Sequence, residues 1–391
     1  MYEDSTHVRQ HALQSVHNAT DAGRPSFERL LDKIEIPDRG RHKPILILDG
    51  GLGTTLEDEY QVTFSSRDTP TWSSHLLASS LETLLEVHRS FVQAGADIIL
   101  TATYQASFNG FTSTRRYDLN VTSAERGGFY SQEEAGHLMR SAIPLARSAF
   151  GSKKGLLALS LGAYGATMIP STEYTGKYPP EMGDCVNLER WHAQRINVFE
   201  ADQKTWNEVD LVAFETLPRV DEIQAVRNAM QVLSMQKPFW ISSVFPNDDE
   251  KLPDGSEVMD VLEAMVAQTP SESKLIGHPP TPVGIGINCT KVSKLRSLIQ
   301  KFEEAAASMQ VHLPHLVLYP DGANNMTYDT TSQLWGPAKD AAGVGKWEDE
   351  MFDIVHEVQE RDKWAGIVVG GCCKTRPQHI ARLSEKIKHK R

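Results

Sequence analysis

The chain has 391 residues, 40% hydrophobic and 23% charged, enough apolar material for a sizeable core in one large α/β barrel or two average domains. Its 40 Lys and Arg against 51 Asp and Glu give a formal net charge of −11, with no basic stripe interleaved with aromatics, which excludes nucleic acid as a partner class. No apolar run reaches the roughly 18 residues that a membrane helix needs. Four cysteines make no disulfide framework, and the start of the chain carries no apolar leader, so the expectation is a soluble, cytoplasmic protein in a reducing compartment.

In chain order, residues 1–42 begin with a polar stretch carrying Glu3, Asp4 and Asp21 and are read as a flexible amino-terminal arm. A single domain is expected over 43–391. Short runs rich in Ile, Leu and Val then recur at 45–49, 97–101, 156–161, 211–214, 239–244, 283–288, 315–319 and 366–370. Such continuous apolar runs are the mark of strands buried on both faces of a parallel sheet.

Helical signals lie between the runs. Leu81, Leu84, Leu85, His88, Phe91 and Val92 form a stripe that ends before Gly95. Ser131 and Glu134 have capping-box spacing ahead of a helix that contains Pro144. Leu188, Trp191, Arg195, Val198 and Phe199 mark another helix, Trp347 to Val358 one more, and Pro377 opens the last. Eight strands in strict alternation with helices predict a single (β/α)8 TIM barrel, because doubly wound sheets usually stop at fewer strands. The long connections, 108–128, 162–186, 245–256 and 321–345, all follow strands. In such a barrel those are insertions at the carboxyl-terminal face, where catalysis takes place.

Three of the four cysteines sit at strand ends. Cys289 follows the sixth run in Gly286-Ile287-Asn288-Cys289-Thr290, and Cys372 with Cys373 follow the eighth in Gly370-Gly371-Cys372-Cys373. Each alone reads as a small buried hydrophobe. Together they should emerge on one rim, where three thiolates suit zinc and leave the open fourth position of a catalytic site. Cys185 lies in a polar loop and is read as incidental. Asp49 ends the first strand and Glu215 the fourth, so both carboxylates can face the same mouth and pair with an ammonium; each also has a structural reading, as a turn residue or a buried acid. The glycines after Asp49 are no phosphate loop, since Gly-Lys-Ser/Thr is missing there.

From about residue 45 to 383 the chain resembles the homocysteine S-methyltransferases, the betaine- and S-methylmethionine-dependent family. The segments ILDGGLGTTLE, AGADIILTATYQASFNGF, LGAYGATMIPSTEYTGKY, FETLPRVDE, GINCT and GGCCKTRPQHI carry the resemblance, in order. It implies one zinc per chain on Cys289, Cys372 and Cys373, and Asp49 and Glu215 holding the amino group of homocysteine. Tyr104, Gln105 and Asn288, inside matching segments, are assigned as further substrate-binding residues. The stretches around Thr103 to Ser107 and Glu173 to Gly176 look more like the S-methylmethionine branch. The sequence departs from the family at Tyr319-Pro320-Asp321-Gly322-Ala323, where relatives commonly carry Asn and then Ser-Gly-Glu, and in a polar insertion near 270–282.

The expected reaction moves a methyl group from S-methylmethionine, or S-adenosylmethionine as a weaker donor, to homocysteine, giving methionine. A free thiol with a pKa near ~8.5 is mostly protonated at neutral pH, and zinc would ionise it. The donor's positive charge calls for aromatic faces or carboxylates, with Trp72, Tyr104, Phe108 and Tyr174 as candidates. Residues 374–391 leave room for one closing helix, so the methyl group is expected to come from a small onium molecule bound in the same mouth, and no catalytic His is expected. The competing class is a non-catalytic zinc or thiol redox-sensing barrel using the Cys372-Cys373 pair, with a purely structural zinc barrel as a third reading. Within the enzyme class, the alternative is a betaine- or selenocysteine-directed methyltransferase.

Overall fold

The apolar runs form strands and the amphipathic stretches form helices, as a computed structural model shows for residues 27–34, 43–65, 67–116, 128–267, 278–323, 326–329, 334–337 and 346–389. The strands are β1 (Ile45–Ile47), β2 (Ile98–Leu100), β3 (Leu156–Gly162), β4 (Leu211–Leu217), β5 (Phe239–Ser243), β6 (Gly284–Asn288), β7 (His315–Tyr319), β8 (Met326–Asp329), β9 (Leu334–Pro337) and β10 (Ile367–Val369). Eight of them are parallel, in the order β1-β10-β7-β6-β5-β4-β3-β2. The two edges meet where the Asp97 amide donates to Ile47 O at 2.7 Å and the Asp49 amide to Ile98 O at 3.1 Å. The result is the (β/α)8 barrel expected from the alternation.

Alternation along each strand divides the core in two. Ile45, Ile47, Leu157, Leu159, Val212, Phe214, Ile285 and Ile287 point outward into the large cluster shared with the helices. Leu46, Leu48, Leu156, Ala158, Leu211, Ala213, Trp240, Val317 and Tyr319 point inward. In β6 the inward positions are Gly284 and Gly286. A Cβ at Gly286 would lie 1.7 Å from the Val317 carbonyl oxygen, so only glycine lets β6 approach β7 this closely.

The helices follow their sequence signals. Ser131 and Glu134 form the reciprocal capping box of helix Gln132–Ala149, which runs on through Pro144. Helix Pro377–His389 begins at its proline. Among the described residues no helix is long and apolar enough to cross a membrane.

Two features differ from the sequence reading. Within the segment read as an arm, residues 27–34 hold a short helix, Phe27–Leu31, whose neighbourhood buries Leu30, Leu31 and Ile34 among the inward-facing strand residues. These three side chains cover the amino-terminal end of the barrel, and Lys33 pairs with Asp210 just ahead of β4 at 2.5 Å. Residues 1–26 and 35–42 lie outside the described residues, as do 268–277 of the insertion near 270–282. The second feature is the β8–β9 antiparallel hairpin, which occupies part of the long connection after β7.

Candidate active site

At the carboxyl ends of the strands the backbone leaves regular geometry in order to aim side chains inward. The β4–β5 register shifts between Phe214 and Leu217, and Thr216 has φ 60°, so the segment carrying Glu215 bulges. Asn288, the last residue of β6, holds that bulge: its Oδ1 accepts the Thr216 amide at 2.8 Å and its Nδ2 donates to Thr216 Oγ1 at 2.7 Å. The same Nδ2 lies 3.3 Å from the Cys289 sulfur. Cys289 is itself left-handed, with φ 48°, and its amide donates to Tyr319 O at 3.2 Å.

The Cys372-Cys373 turn is pinned by its neighbours. The Gly371 amide donates to Asp49 O at 3.0 Å, the Cys372 amide to Pro320 O at 2.8 Å, and the Lys374 amide to Thr54 Oγ1 at 2.7 Å. Gly51 must be glycine here, because a Cβ would lie 2.3 Å from the Cys372 carbonyl oxygen. The departure from the family pattern after β7 has a structural part in this turn, since the Gly322 amide donates to Cys373 O at 2.7 Å. Burial pushes the Asp321 carboxyl beside it up to about 6.

The three sulfurs of Cys289, Cys372 and Cys373 lie within 4.8 Å of one another. Cys289 and Cys372 are at bonding distance, with Cα atoms 5.5 Å apart, and Cys373 is free. The sequence reading names Cys372-Cys373 as the redox pair; the structure instead brings Cys289 to Cys372, because successive residues of a turn project apart. Burial, reinforced by the carboxylates of Asp321, Glu57 and Glu173 against the opposing Lys374, pushes the Cys373 thiol up to about 12. Only a cation at the sulfurs would make thiolate the favoured state in such a place. Cys185 lies apart, at the start of helix Cys185–Glu200.

Two carboxylates share the mouth. Asp49 Oδ2 accepts the Leu100 amide at 2.8 Å, while its buried Oδ1 has no partner. Burial holds its carboxyl well above the usual range, and Glu215 adds repulsion. Glu215 accepts from the Ser160 and Tyr319 hydroxyls, and burial raises it to about 7. The Arg195 guanidinium opposes that rise. The two carboxylates repel each other, and one keeps an orphaned oxygen, an arrangement that a cation can relieve.

These groups surround one cavity of about 1150 Å³, counting the space open to solvent. Glu215, Tyr104, Gln105, Asn288 and the three cysteines line it, and Asp49 lies just behind the lining residues Gly50 and Gly51. Trp72 and Tyr174 also line it, whereas Phe108 does not. Phe108 opens a short helix capped by Ser107, and its ring packs 3.7 Å from where a Gly136 Cβ would be, on the helix side.

Two contributors escaped the sequence reading, and a third, Glu173, entered it only as part of a matching segment. Arg195, read as part of a helical stripe, is buried under the mouth and donates to the carbonyls of Ala106, Gly162, Thr103 and Tyr104 at 2.7–2.9 Å. It ties the loops after β2 and β3 together, and the one clue was a charged residue within an apolar stripe. Trp335 of β9 reaches the cavity, with Lys374 Nζ 5.3 Å from its ring centroid. Glu173 lines the cavity from the loop after β3.

A TIM barrel whose mouth gathers thiols and carboxylates around a sizeable cavity is the architecture of a barrel enzyme with its site at the carboxyl-terminal face. The homocysteine S-methyltransferase family profile matches residues 46–387, and the chain belongs to that family. Homocysteine S-methyltransferase 1 of Brassica oleracea is 30% identical over 366 residues, 88% of this chain and 94% of its own. The selenocysteine methyltransferase of Astragalus bisulcatus is 30% identical over 363 residues, 85% and 90% of the two chains. Among solved structures, the oxidised form of the Escherichia coli homocysteine methyltransferase MmuM matches with a TM-score of 0.62 at 25% identity, covering 88% of this chain and 96% of that one. Its metallated form matches with a TM-score of 0.61 at 24% identity. Membership makes the chain a methyltransferase of the homocysteine type.

Proposed function

We propose that the enzyme methylates homocysteine from a small onium donor, S-methylmethionine before S-adenosylmethionine, using one zinc ion held by Cys289, Cys372 and Cys373. The observation that carries this reading is the convergence of three thiols within 4.8 Å at a cavity lined by Glu215, with the unpartnered Asp49 Oδ1 buried behind its wall. The donor set fits the metal: three soft ligands suit zinc and leave one position open. When bound, zinc supplies Lewis acidity that favours the ionised form of a substrate thiol at neutral pH.

The chain's own residues do the rest. Asp49 and Glu215 take the ammonium of homocysteine, which relieves their mutual repulsion. Asn288 fixes the Glu215 bulge and the Cys289 sulfur together, so one amide sets the distance between the ammonium seat and the thiols. Tyr104 and Gln105 wall the acceptor. A new sulfur–carbon bond to homocysteine forms as the donor's sulfonium carbon–sulfur bond breaks, and its electron pair stays on the departing sulfur. The thiol proton goes to solvent, and the leaving group is a neutral thioether that needs no general acid. No described histidine lines the cavity. We read residues 43–391 as the homocysteine-binding barrel and place the enzyme in the cytoplasm, where thiols stay reduced.

One observation favours a second reading: Cys289 and Cys372 at bonding distance suit a thiol-redox protein. That reading leaves the cavity and both carboxylates unused, so we rank it second. The test is methionine formation by reduced, zinc-loaded protein with homocysteine and S-methylmethionine, S-adenosylmethionine or betaine at matched concentrations. Turnover fastest with S-methylmethionine is expected. Turnover with none would overturn the methyl-transfer reading, and fastest turnover with betaine would overturn the donor assignment.

A further inference from the structure

Among the described residues, Asp49, Glu173, Asp210, Glu215, Glu222, Glu303 and Glu348 are the acids buried in the fold. Four of them are satisfied by the structure itself. Asp210 pairs with Lys33 and Arg147, Glu222 with His192 and Tyr178, Glu303 with Arg361 and Lys363, and Glu348 with Arg382. Glu215 accepts from Ser160 and Tyr319. The buried carboxylate oxygens left with no partner are Asp49 Oδ1 and Glu173 Oε2, and both belong to the mouth. An unpartnered buried carboxylate oxygen is costly, so a ligand that satisfies it binds with that cost removed.

Asp49, together with Glu215, accounts for one ammonium. The reaction brings two amino-acid ammonium groups to this mouth, and Glu173 is left for the second. Resting on the methyl-transfer reading above, we propose that Glu173 binds the methyl donor, its Oε2 accepting a hydrogen bond from the ammonium group of an amino-acid sulfonium.

The geometry suits that part. Glu173 is 5% exposed and lines the cavity beside Tyr174, Trp72 and Met168. Its charge is felt at Tyr104, Tyr174 and Cys373, so it lies within electrostatic reach of the cysteine cluster. The loop beneath it is fixed in advance. The Thr172 amide donates to Gly165 O at 2.9 Å, and the amides of Thr175 and Gly176 donate to Thr172 O at 3.0 and 2.8 Å. Ser171 and the residue's own amide satisfy the carboxylate in part. Burial raises the carboxyl to about 7, the condition of an acid lacking its counter-ion. The chemistry selects among donors: an amino-acid sulfonium brings N–H groups, whereas a trimethylammonium brings none. A site built around a hydrogen bond to N–H discriminates strongly against a ligand without one.

The test is a binding titration that does not depend on turnover. Trp72 and Trp335 line the cavity, so their fluorescence reports ligand entry into zinc-loaded protein. With S-methylmethionine as the probe, Glu173→Gln should raise Kd about ten- to a hundredfold, the loss of a hydrogen bond between charged groups. Glu173→Asp, which keeps the charge on a shorter stem, should fall between, and it carries the test if the Gln variant does not fold. Homocysteine and betaine affinities should stay within about twofold of the parent. Unchanged S-methylmethionine affinity in Glu173→Gln, or an equal loss for homocysteine, would overturn the proposal. If the parent protein makes no methionine yet its sulfonium affinity depends on Glu173, the binding proposal stands and the catalytic reading falls. If the parent turns over but its donor affinity does not depend on Glu173, the binding proposal falls and the catalytic reading stands.

Discussion

Glu215→Gln separates the cost of building the ammonium seat from its use. Burial raises the Glu215 carboxyl from its ordinary 4.5 to about 7 in the folded chain. The folded state therefore favours the protonated form, and this group's contribution to stability is full below pH 4.5 and lost as pH rises through 7. At about 1.4 kcal/mol per pH unit the loss totals about 3 kcal/mol, most of it between pH 5 and 8. Glutamine keeps the shape and can still accept the Ser160 hydroxyl, but it never ionises. Urea unfolding of reduced, metal-free, substrate-free protein should then show the variant gaining about 2 to 3 kcal/mol on the parent between pH 5 and 8. Relief of repulsion on Asp49 adds in the same direction. Homocysteine binding by the variant should fall most above pH 7, where the Glu215 carboxyl of the parent is ionised. A stability difference that does not change with pH would refute the reasoning.

Cys373→Ser should lower the metal content from about one zinc per chain and abolish turnover with little change in thermal melting, because the barrel core is closed by apolar side chains rather than by the metal. Elemental analysis with a melting curve checks this, and global unfolding on chelation would point to a structural site instead. Arg195→Met should cost about 3 kcal/mol or more in urea unfolding, since it strands four buried carbonyls. Arg195→Lys should recover only part of that, having no planar fork to reach all four.

Strand positions were legible in the sequence because a strand of this barrel is buried on both faces, which leaves a nearly continuous apolar run such as Leu156–Gly162, broken only by Ser160. The run lengths were less legible. The run at 45–49 extends past β1 because Leu48 pairs with Ile98 across the closing seam of the barrel and Asp49 turns to the mouth. The β8–β9 hairpin carries no such run, and its Met326-Thr327-Tyr328-Asp329 and Leu334-Trp335-Gly336-Pro337 strands read as ordinary loop. Leu30, Leu31 and Ile34 were hidden for another reason: three apolar residues in a polar stretch make no pattern until the open end of a barrel is there to receive them.

The thiols were legible because topology alone puts every residue after a strand on the same rim, so Cys289 and Cys372 needed no side-chain geometry to be brought together. Phe108 was misplaced by the same shortcut, since lying after a strand does not say whether a ring turns to the cavity or to the neighbouring helix. Arg195 was out of reach, as three of its four carbonyl partners lie 89 to 92 residues upstream, and periodicity sees only the stripe to which its Cα belongs. The acids show where the boundary falls. Nothing in the residue types separates Glu173 from Glu222, each buried and each on a segment after a strand, yet Tyr178 and His192 close around one and leave the other open. Whether a buried carboxylate is structural or waits for a ligand is decided by the neighbours that fail to arrive, and that is a property of the folded neighbourhood rather than of any local pattern.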